Sequence, residues 1–416
     1  MAAILCLFED PGYRKLLPLA YTRPVYDLQC GTCTLGEKIT RQYTQTTIVA
    51  HCRPELAAVV KKVYPKLPVN ELPREACLLI NGRLLADETL NVKIPQEGED
   101  CLFTSGDTLV AARVSGKNLE GLRSKMDSGP ITPDLLPVDR TQEVEVQLIE
   151  YPWDLVHQNG PQIEADWELS GYHGQIEGHI YDGAILMNRD EIFIGQGAKV
   201  KPGAILDAEK GPVIIEPGAT IFPNAAIEGP AFIGEKSLIK IGAKIYEGTS
   251  IGEVCKVGGE LEETIVHSYS NKQHDGFLGH SYLGMWVNLG ADTNNSDLKN
   301  NYGNVKVYVD GEMVDSGSMF VGLTMGDHSK SGINTMFNTG TVVGVSCNVY
   351  GGGFPPKFIP SFTWGGAEGL VEYRLDKALE TARAVMNRRK IDLTAADEKL
   401  IRGIFEATAK ERANLK

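Results

Sequence analysis

The stretch IEPGATIFPNAAIEGPAFIGEKSLIKIGAKIYEGTSIGEVCKV, residues 215–257, repeats itself every six residues. An aliphatic residue recurs at Ile215, Ile221, Ile227, Ile233, Ile239, Ile245, Ile251 and Val257. Four places after each of the first seven stands a small or near-small residue: Ala219, Ala225, Ala231, Ser237, Ala243, Thr249 and Cys255. A period of six fits neither an amphipathic helix nor an alternating strand. It is the period of the hexapeptide parallel β-helix. Each unit makes one flat face, and three faces close a triangular coil. The aliphatic side chain points into the prism and the small one fits the crowded corner. Residues one coil apart then stack, as Ile215, Ile233 and Ile251 do.

The pattern extends in both directions. Upstream, Ile194, Val200 and Leu206 keep the step, with a three-residue insertion near Asp207–Gly211. Downstream, Asn271, Phe277, Leu283 and Leu289 restart the frame, and Val321, Asp327, Ile333, Thr339 and Val345 continue it loosely. Coil ends and edges need cover, and residues 368–416 can supply it as two helices. Leu375, Leu379, Ala382, Val385 and Met386 form one apolar stripe. Thr394 opens the second helix as an N-cap, with Asp397 in its first turn.

Residues 1–155 carry no such period. Strand-like runs at Ala3–Phe8, Thr46–His51, Ala76–Ile80, Leu102–Val114 and Val144–Ile149 alternate with helical patterns near Leu35–Tyr43 and Pro54–Val63. That alternation predicts an α/β domain with a largely parallel sheet, whose ligands sit at the carboxyl ends of the strands. The expected organisation is an α/β domain over 1–155, a connection with the first coil over 156–190, the β-helix over 191–366 and C-terminal helices over 367–416.

A chain of 416 residues with 42% apolar and 23% charged residues is an ordinary globular protein. Its net charge of −13, with no long basic run, argues against nucleic acid and anionic membranes as partners. No signal-like start and no apolar stretch near ~20 residues is present. The eight scattered cysteines predict reduced thiols in a cytoplasmic setting. Cys30 and Cys33 form a lone CxxC, and a structural zinc site would want a second pair.

Specific motifs sharpen this. Leu17-Pro-Leu-Ala-Tyr-Thr-Arg-Pro24, followed by Gly31 and Glu37-Lys38, resembles the opening of sugar nucleotidyltransferases. Asn81-Gly82-Arg83 and Tyr151-Pro-Trp-Asp154 resemble a short-form branch of that superfamily fused to a left-handed β-helix. Ser270-Asn-Lys-Gln-His-Asp-Gly-Phe-Leu-Gly279, Val287-Asn-Leu-Gly-Ala291 and Asn300-Asn-Tyr-Gly303 resemble the acetyltransferase half of the bifunctional N-acetylglucosamine-1-phosphate uridyltransferase/glucosamine-1-phosphate acetyltransferase family.

This resemblance implies left-handed coils, a homotrimer and two reactions towards UDP-N-acetylglucosamine. In the first, His274 is the general base for transfer from acetyl-CoA to an amino-sugar phosphate. Counted from Asn271, His274 faces outward near a corner, and its ordinary pKa near ~6.5 suits the task. Asn288, Asn301 and Tyr302 match substrate contacts and Ala291 a residue lining the CoA site. The family's Tyr three places after the catalytic His is Phe277 here, and Asp292–Lys299 is longer than its counterpart. Both departures touch the sugar pocket.

In the second reaction a sugar 1-phosphate and a nucleotide, UTP in the family, combine with help from Mg²⁺. The family's glycine-rich loop is replaced by Asp10-Pro-Gly-Tyr-Arg14, a family lysine by Val25, and a metal-holding Gly-Asp by Asn81 and Gly82. Arg14, Arg23, Lys38 and Arg83 remain as phosphate contacts. Competing readings are an acetyltransferase or a nucleotidyltransferase with the other domain vestigial, and a trimeric sugar-nucleotide-binding scaffold without catalysis. Other hexapeptide β-helices hold zinc with three histidines and hydrate carbon dioxide. Here His267, His274, His280 and His328 are available, but His274 and His280 should diverge from adjacent faces.

Overall fold

The computed structural model describes residues 3–413 and Leu415. Three sheets wrap the second half as the faces of a solenoid. One joins nine parallel strands, from Ile192–Ile194 to Phe358–Ile359. Ile215, Ile233 and Ile251 share one register. Ile194 pairs with Ile215, so the insertion at 207–211 lengthens one coil without breaking the stack. The aliphatic series is fully buried and forms one continuous core with its small corner residues. The coil starts ahead of residue 191: Ile176 bridges to Ile194, and His179–Ile180 and Ile185–Met187 pair with the coil that follows.

Downstream the inward frame departs from a strict step of six. Ile251 pairs with Val266, a coil shorter than its predecessors, so the next inward residues are Lys272 and Leu278 rather than Asn271 and Phe277. A hairpin excursion, Lys306–Val309 with Glu312–Asp315, then resets the phase. The following inward set is Met325, Ser331, Phe337, Val343 and Val349. Ile333, expected inside, is 71% exposed.

The first domain is built on a six-stranded sheet: β1 (Ala3–Phe8), β2 (Thr46–Ala50), β3 (Cys77–Asn81), β4 (Cys101–Ser105), β5 (Thr108–Val114) and β6 (Thr141–Glu143), in the order β2-β1-β3-β5-β4-β6. It is a mixed sheet. β1, β2 and β3 are parallel, as the alternation with α1 (Leu35–Thr40) and α2 (Ala57–Val63) predicts. β5 runs antiparallel because only two residues separate it from β4, too few for a crossover.

The two halves are locked together. The outward face of the nine-stranded sheet carries Phe193, Ile214 and Phe232, which α3 (Pro152–Ser170) covers with Ile163 and Trp167. Further along, Ile265 and Tyr282 are covered by Leu16, Leu19, Leu28 and Leu155. The segment around Leu17–Pro24 is therefore a wedge in the domain interface. Gly366 and Gly369 close a terminal hairpin, Thr363–Gly366 with Gly369–Glu372, where helix had been expected from residue 368. Helices α4 (Leu375–Asn387) and α5 (Ala395–Ala407) follow and pack on the first domain through Leu379, Leu400, Ile401 and Ile404. Thr394 caps α5 in a reciprocal capping box with Asp397. No helix among the described residues is long and apolar enough to cross a membrane.

Candidate active site

His274 stands on an exposed solenoid corner, two residues beyond the inward-pointing Lys272. Register places Gly259 beside it on one side and Ala291 on the other, with Ile333 next. Gly276, with φ +111°, allows the turn: a Cβ there would sit 2.2 Å from the Thr293 carbonyl oxygen. Ile241 belongs to the same corner and is 69% exposed, as Ile333 is. An apolar edge thus flanks an open imidazole.

Lys272 explains how that corner is held. It fills the position of Val257 in the preceding coil and is buried, yet it carries an amine. Its Nζ donates to the carbonyl oxygens of His274, at 2.5 Å, and Asp275, at 2.9 Å. Burial lowers its pKa to about 8, opposed by Asp275 and Asp292. The ammonium ties down the backbone that presents His274. A search for aliphatic periodicity passes over this residue because lysine breaks the pattern.

Asn271 and Asn288 are bridged neighbours on the face leading to this corner, their amides 3.5 Å apart. Arg389, just beyond α4, donates to Asn271 Oδ1 at 3.0 Å. Arg388, Arg389, Lys240 and Lys256 crowd together: burial and then these like charges lower the Lys256 pKa. In a chain of net charge −13, an uncompensated basic cluster beside two amides is a place for an anion. The run Arg388-Arg389-Lys390 was its visible signal in the sequence.

Asn301 and Tyr302 are exposed on the excursion, which leaves from the far edge of the next face. A single chain does not bring them to the corner of His274. The other histidines diverge as well. His280 is clasped by Asp297 at 2.9 Å and Glu263 at 3.3 Å. Burial alone would lower its pKa, but these hydrogen bonds raise it to about 9. Burial holds His267 at about 3 and His328 at about 4, both neutral. No cluster of three His, Cys, Asp or Glu able to hold a metal ion occurs among the described residues.

At the carboxyl ends of β1 and β3, the expected phosphate contacts are engaged elsewhere. Arg83 grips Asp10 through Nε at 2.8 Å and Nη2 at 2.6 Å, and also donates to the Ile149 carbonyl. Gly12 permits this, since a Cβ would lie 2.4 Å from the guanidinium. Arg23 pairs with Asp327 of the solenoid at 2.5 Å, and Lys38 with Asp166 of α3 at 2.7 Å. Arg14 alone of the four is exposed, 3.7 Å from Asp310. Asn81 is spent on the Leu109 carbonyl and the Arg83 amide, and Gly82 packs against Tyr26. Glu9 binds Arg53 and the Val25 amide. With Asp10 and Glu9 both neutralised by guanidinium groups, this donor set does not fit Mg²⁺, which wants free carboxylates and water. Cys30 and Cys33 are pushed up by burial to about 12 and about 11, so both thiols are unreactive at neutral pH.

Residues 5–171 match the sugar nucleotidyl transferase family. A bifunctional sugar-1-phosphate nucleotidylyltransferase/acetyltransferase of Sulfurisphaera tokodaii is 34% identical over 145 residues, 34% of this chain and 36% of that protein. The bifunctional protein GlmU of a Synechococcus species is 24% identical over 195 residues, 46% of this chain and 38% of that protein. The matches thus span well under half the length of these relatives. A crystal structure of UDP-N-acetylglucosamine acyltransferase aligns with 58% of this chain and 89% of its own, at 16% identity and a TM-score of 0.27. The chain thus joins a first domain that matches the sugar nucleotidyl transferase family model over residues 5–171 to a β-solenoid, and it is distantly similar to GlmU and to the bifunctional sugar-1-phosphate nucleotidylyltransferase/acetyltransferase.

Proposed function

We propose that the solenoid transfers an acetyl group from acetyl-CoA to an amino-sugar phosphate, glucosamine-1-phosphate in the first instance. The observation that carries this is the open His274 corner beside the Asn271–Asn288 amides and the Arg388–Arg389–Lys256 cluster. His274 takes the proton as the sugar amine attacks the thioester carbonyl. The carbon–sulfur bond then breaks and the departing CoA thiolate takes up a proton. Asn288 orients the sugar, the basic cluster holds the phosphate, and Ala291 leaves room for the pantetheine arm. Because the corner is open and flanked by exposed Ile241 and Ile333, a neighbouring subunit would complete the pocket. In the trimer that neighbour would also supply Asn301 and Tyr302. Substrates of this class place the reaction in the cytoplasm.

The test is thiol release from acetyl-CoA with a panel of amino-sugar phosphates, run beside the His274→Ala variant. Full activity in the variant would sink the role of His274, and a monomer by light scattering would remove the shared pocket.

The ion pairs of Arg23, Lys38 and Arg83 favour a second reading for the first domain. It would have kept the family fold while giving its cationic side chains over to domain packing, and so would not join UTP to a sugar 1-phosphate. Pyrophosphate release from UTP, Mg²⁺ and N-acetylglucosamine-1-phosphate decides it: sustained turnover would restore the bifunctional reading.

A further inference from the structure

An aromatic ladder climbs the solenoid corner that faces the first domain. Tyr269, Trp286 and His328 each stand three places after Val266, Leu283 and Met325, which pair in register. All three have left-handed backbones, with φ of 62°, 61° and 61°. Bulky residues rarely adopt that conformation, which glycine or asparagine would meet at little cost. The Tyr269 and Trp286 rings lie 4.5 Å apart at 18°, and the Trp286 and His328 rings 6.1 Å apart at 10°. The same left-handed backbone stands at Lys236, Val254, Ser346 and Phe362 on other coils of this corner, so it belongs to the turn; what sets these three coils apart is that the turn carries aromatic rings.

What the ladder borders is a half-open cleft of 440 Å³ between the solenoid, the first domain and the C-terminal helices. Val59 and Val63 of α2 form part of its apolar wall, with Leu393 and Ile401 from the C-terminal segment. Its polar lining includes His328, Asp27 and Glu253 and two ion pairs, Arg23–Asp327 and Lys62–Asp397. His328 is buried and its Nδ1 has no hydrogen-bond partner. The Asp27 carboxyl lines the space and accepts from the Tyr64 hydroxyl at 2.9 Å. The Arg23 charge is cancelled by Asp327. None of Asp10, Asn81, Arg83 or His274 lines this space.

We infer that this cavity binds a planar, uncharged heteroaromatic ring of the nucleobase class, seated against the Tyr269–Trp286–His328 ladder with its polar edge toward His328 and Asp27. Flat aromatic walls suit any base face. The two cations that line the space are both paired, Arg23 with Asp327 and Lys62 with Asp397 at 2.6 Å, so the ring and not a phosphate is what is recognised. The size is that of ordinary small-molecule sites. The site is separate from the acetyl-transfer corner, and its fate does not depend on that reading.

The test is calorimetric titration of the full chain with uridine, thymidine, adenosine and guanosine, each beside its 5′-diphosphate. Saturable binding of at least one nucleoside is expected, with the diphosphate no tighter. Trp286→Ala should weaken it about 5- to 100-fold, Trp286→Phe only slightly, and His274→Ala not at all. Val59→Trp, on a half-exposed helix face, should fill the cavity and abolish binding in a protein whose melting curve is unchanged. Lack of binding by all four nucleosides would overturn the inference, as would binding that survives Val59→Trp. A diphosphate that binds much more tightly than its nucleoside would show that a phosphate, not the ring, is recognised, and would overturn it too.

Discussion

The Nζ of Lys38 lies 2.7 Å from both carboxylate oxygens of Asp166, with 0% and 2% of the two side chains exposed. Lys38 belongs to the first domain and Asp166 to the helix laid along the solenoid. Asp166 also accepts from Arg41 at 2.7 Å and from the Thr32 amide at 2.9 Å. A lysine expected to meet phosphate is a structural bolt. Lys38→Met should therefore cost about 1–3 kcal/mol of stability, because it leaves the buried carboxylate with Arg41 and Thr32 but without its fully buried ammonium partner. The double variant Lys38→Met/Asp166→Leu should recover most of that loss in urea denaturation. A phosphate-binding role instead predicts impaired nucleotide binding at unchanged stability.

Lys272→Met should keep the coil, since methionine fills the inward position. It frees the His274 and Asp275 carbonyls. We expect kcat for acetyl transfer to fall about 10- to 100-fold through misplacement of the base, with Tm nearly unchanged. Equal activity would show that the lysine positions nothing.

Arg388→Ala and Arg389→Ala should raise KM for the anionic substrate about tenfold each while kcat changes little, because cations at an open surface mainly attract and hold, whether exposed as Arg388 or half-buried as Arg389. The effect should shrink in high salt. A salt-independent loss of kcat would contradict a phosphate-holding role.

His280 has a folded pKa of about 9 against 6.5 when free. Its contribution is complete below pH 6.5 and is lost as pH rises through 9. Discounted for the partly exposed Glu263, it amounts to on the order of 2 kcal/mol. His280→Gln should flatten the decline of unfolding free energy between pH 6.5 and 9. An unaltered decline would place the titrating group elsewhere.

His51, His267 and His328 shift the opposite way. Burial lowers their pKa values to about 4, 3 and 4. Their neutral forms are compatible with the fold above pH 6.5, and stability falls as pH drops toward 4, by up to about 1.4 kcal/mol per pH unit for each. His328→Gln should make that acid limb shallower. If the slope stays the same, His328 does not carry it.

The sequence by itself determined the solenoid and its inward residues from Ile194 to Val257, because a periodic pattern repeated over many coils has only one stacking that buries it. It determined the parallel part of the first sheet and the Thr394 cap for the same local reasons, whereas His274 is outward although the count from Asn271 started one residue off the true inward Lys272. Register was lost once a coil shortened before Val266 and an excursion intervened before Met325, since a period carries no memory across a change in coil length. The partners of Arg23, Lys38 and Arg83 lay equally out of sight. An exposed phosphate contact and a buried ion pair use the same residue types, and only the packing of the two halves places Asp327, Asp166 and Asp10 within reach. That packing also turns three scattered aromatic residues into one ladder beside a cavity, because distance in the folded chain is set by the stacking of coils and not by spacing along it.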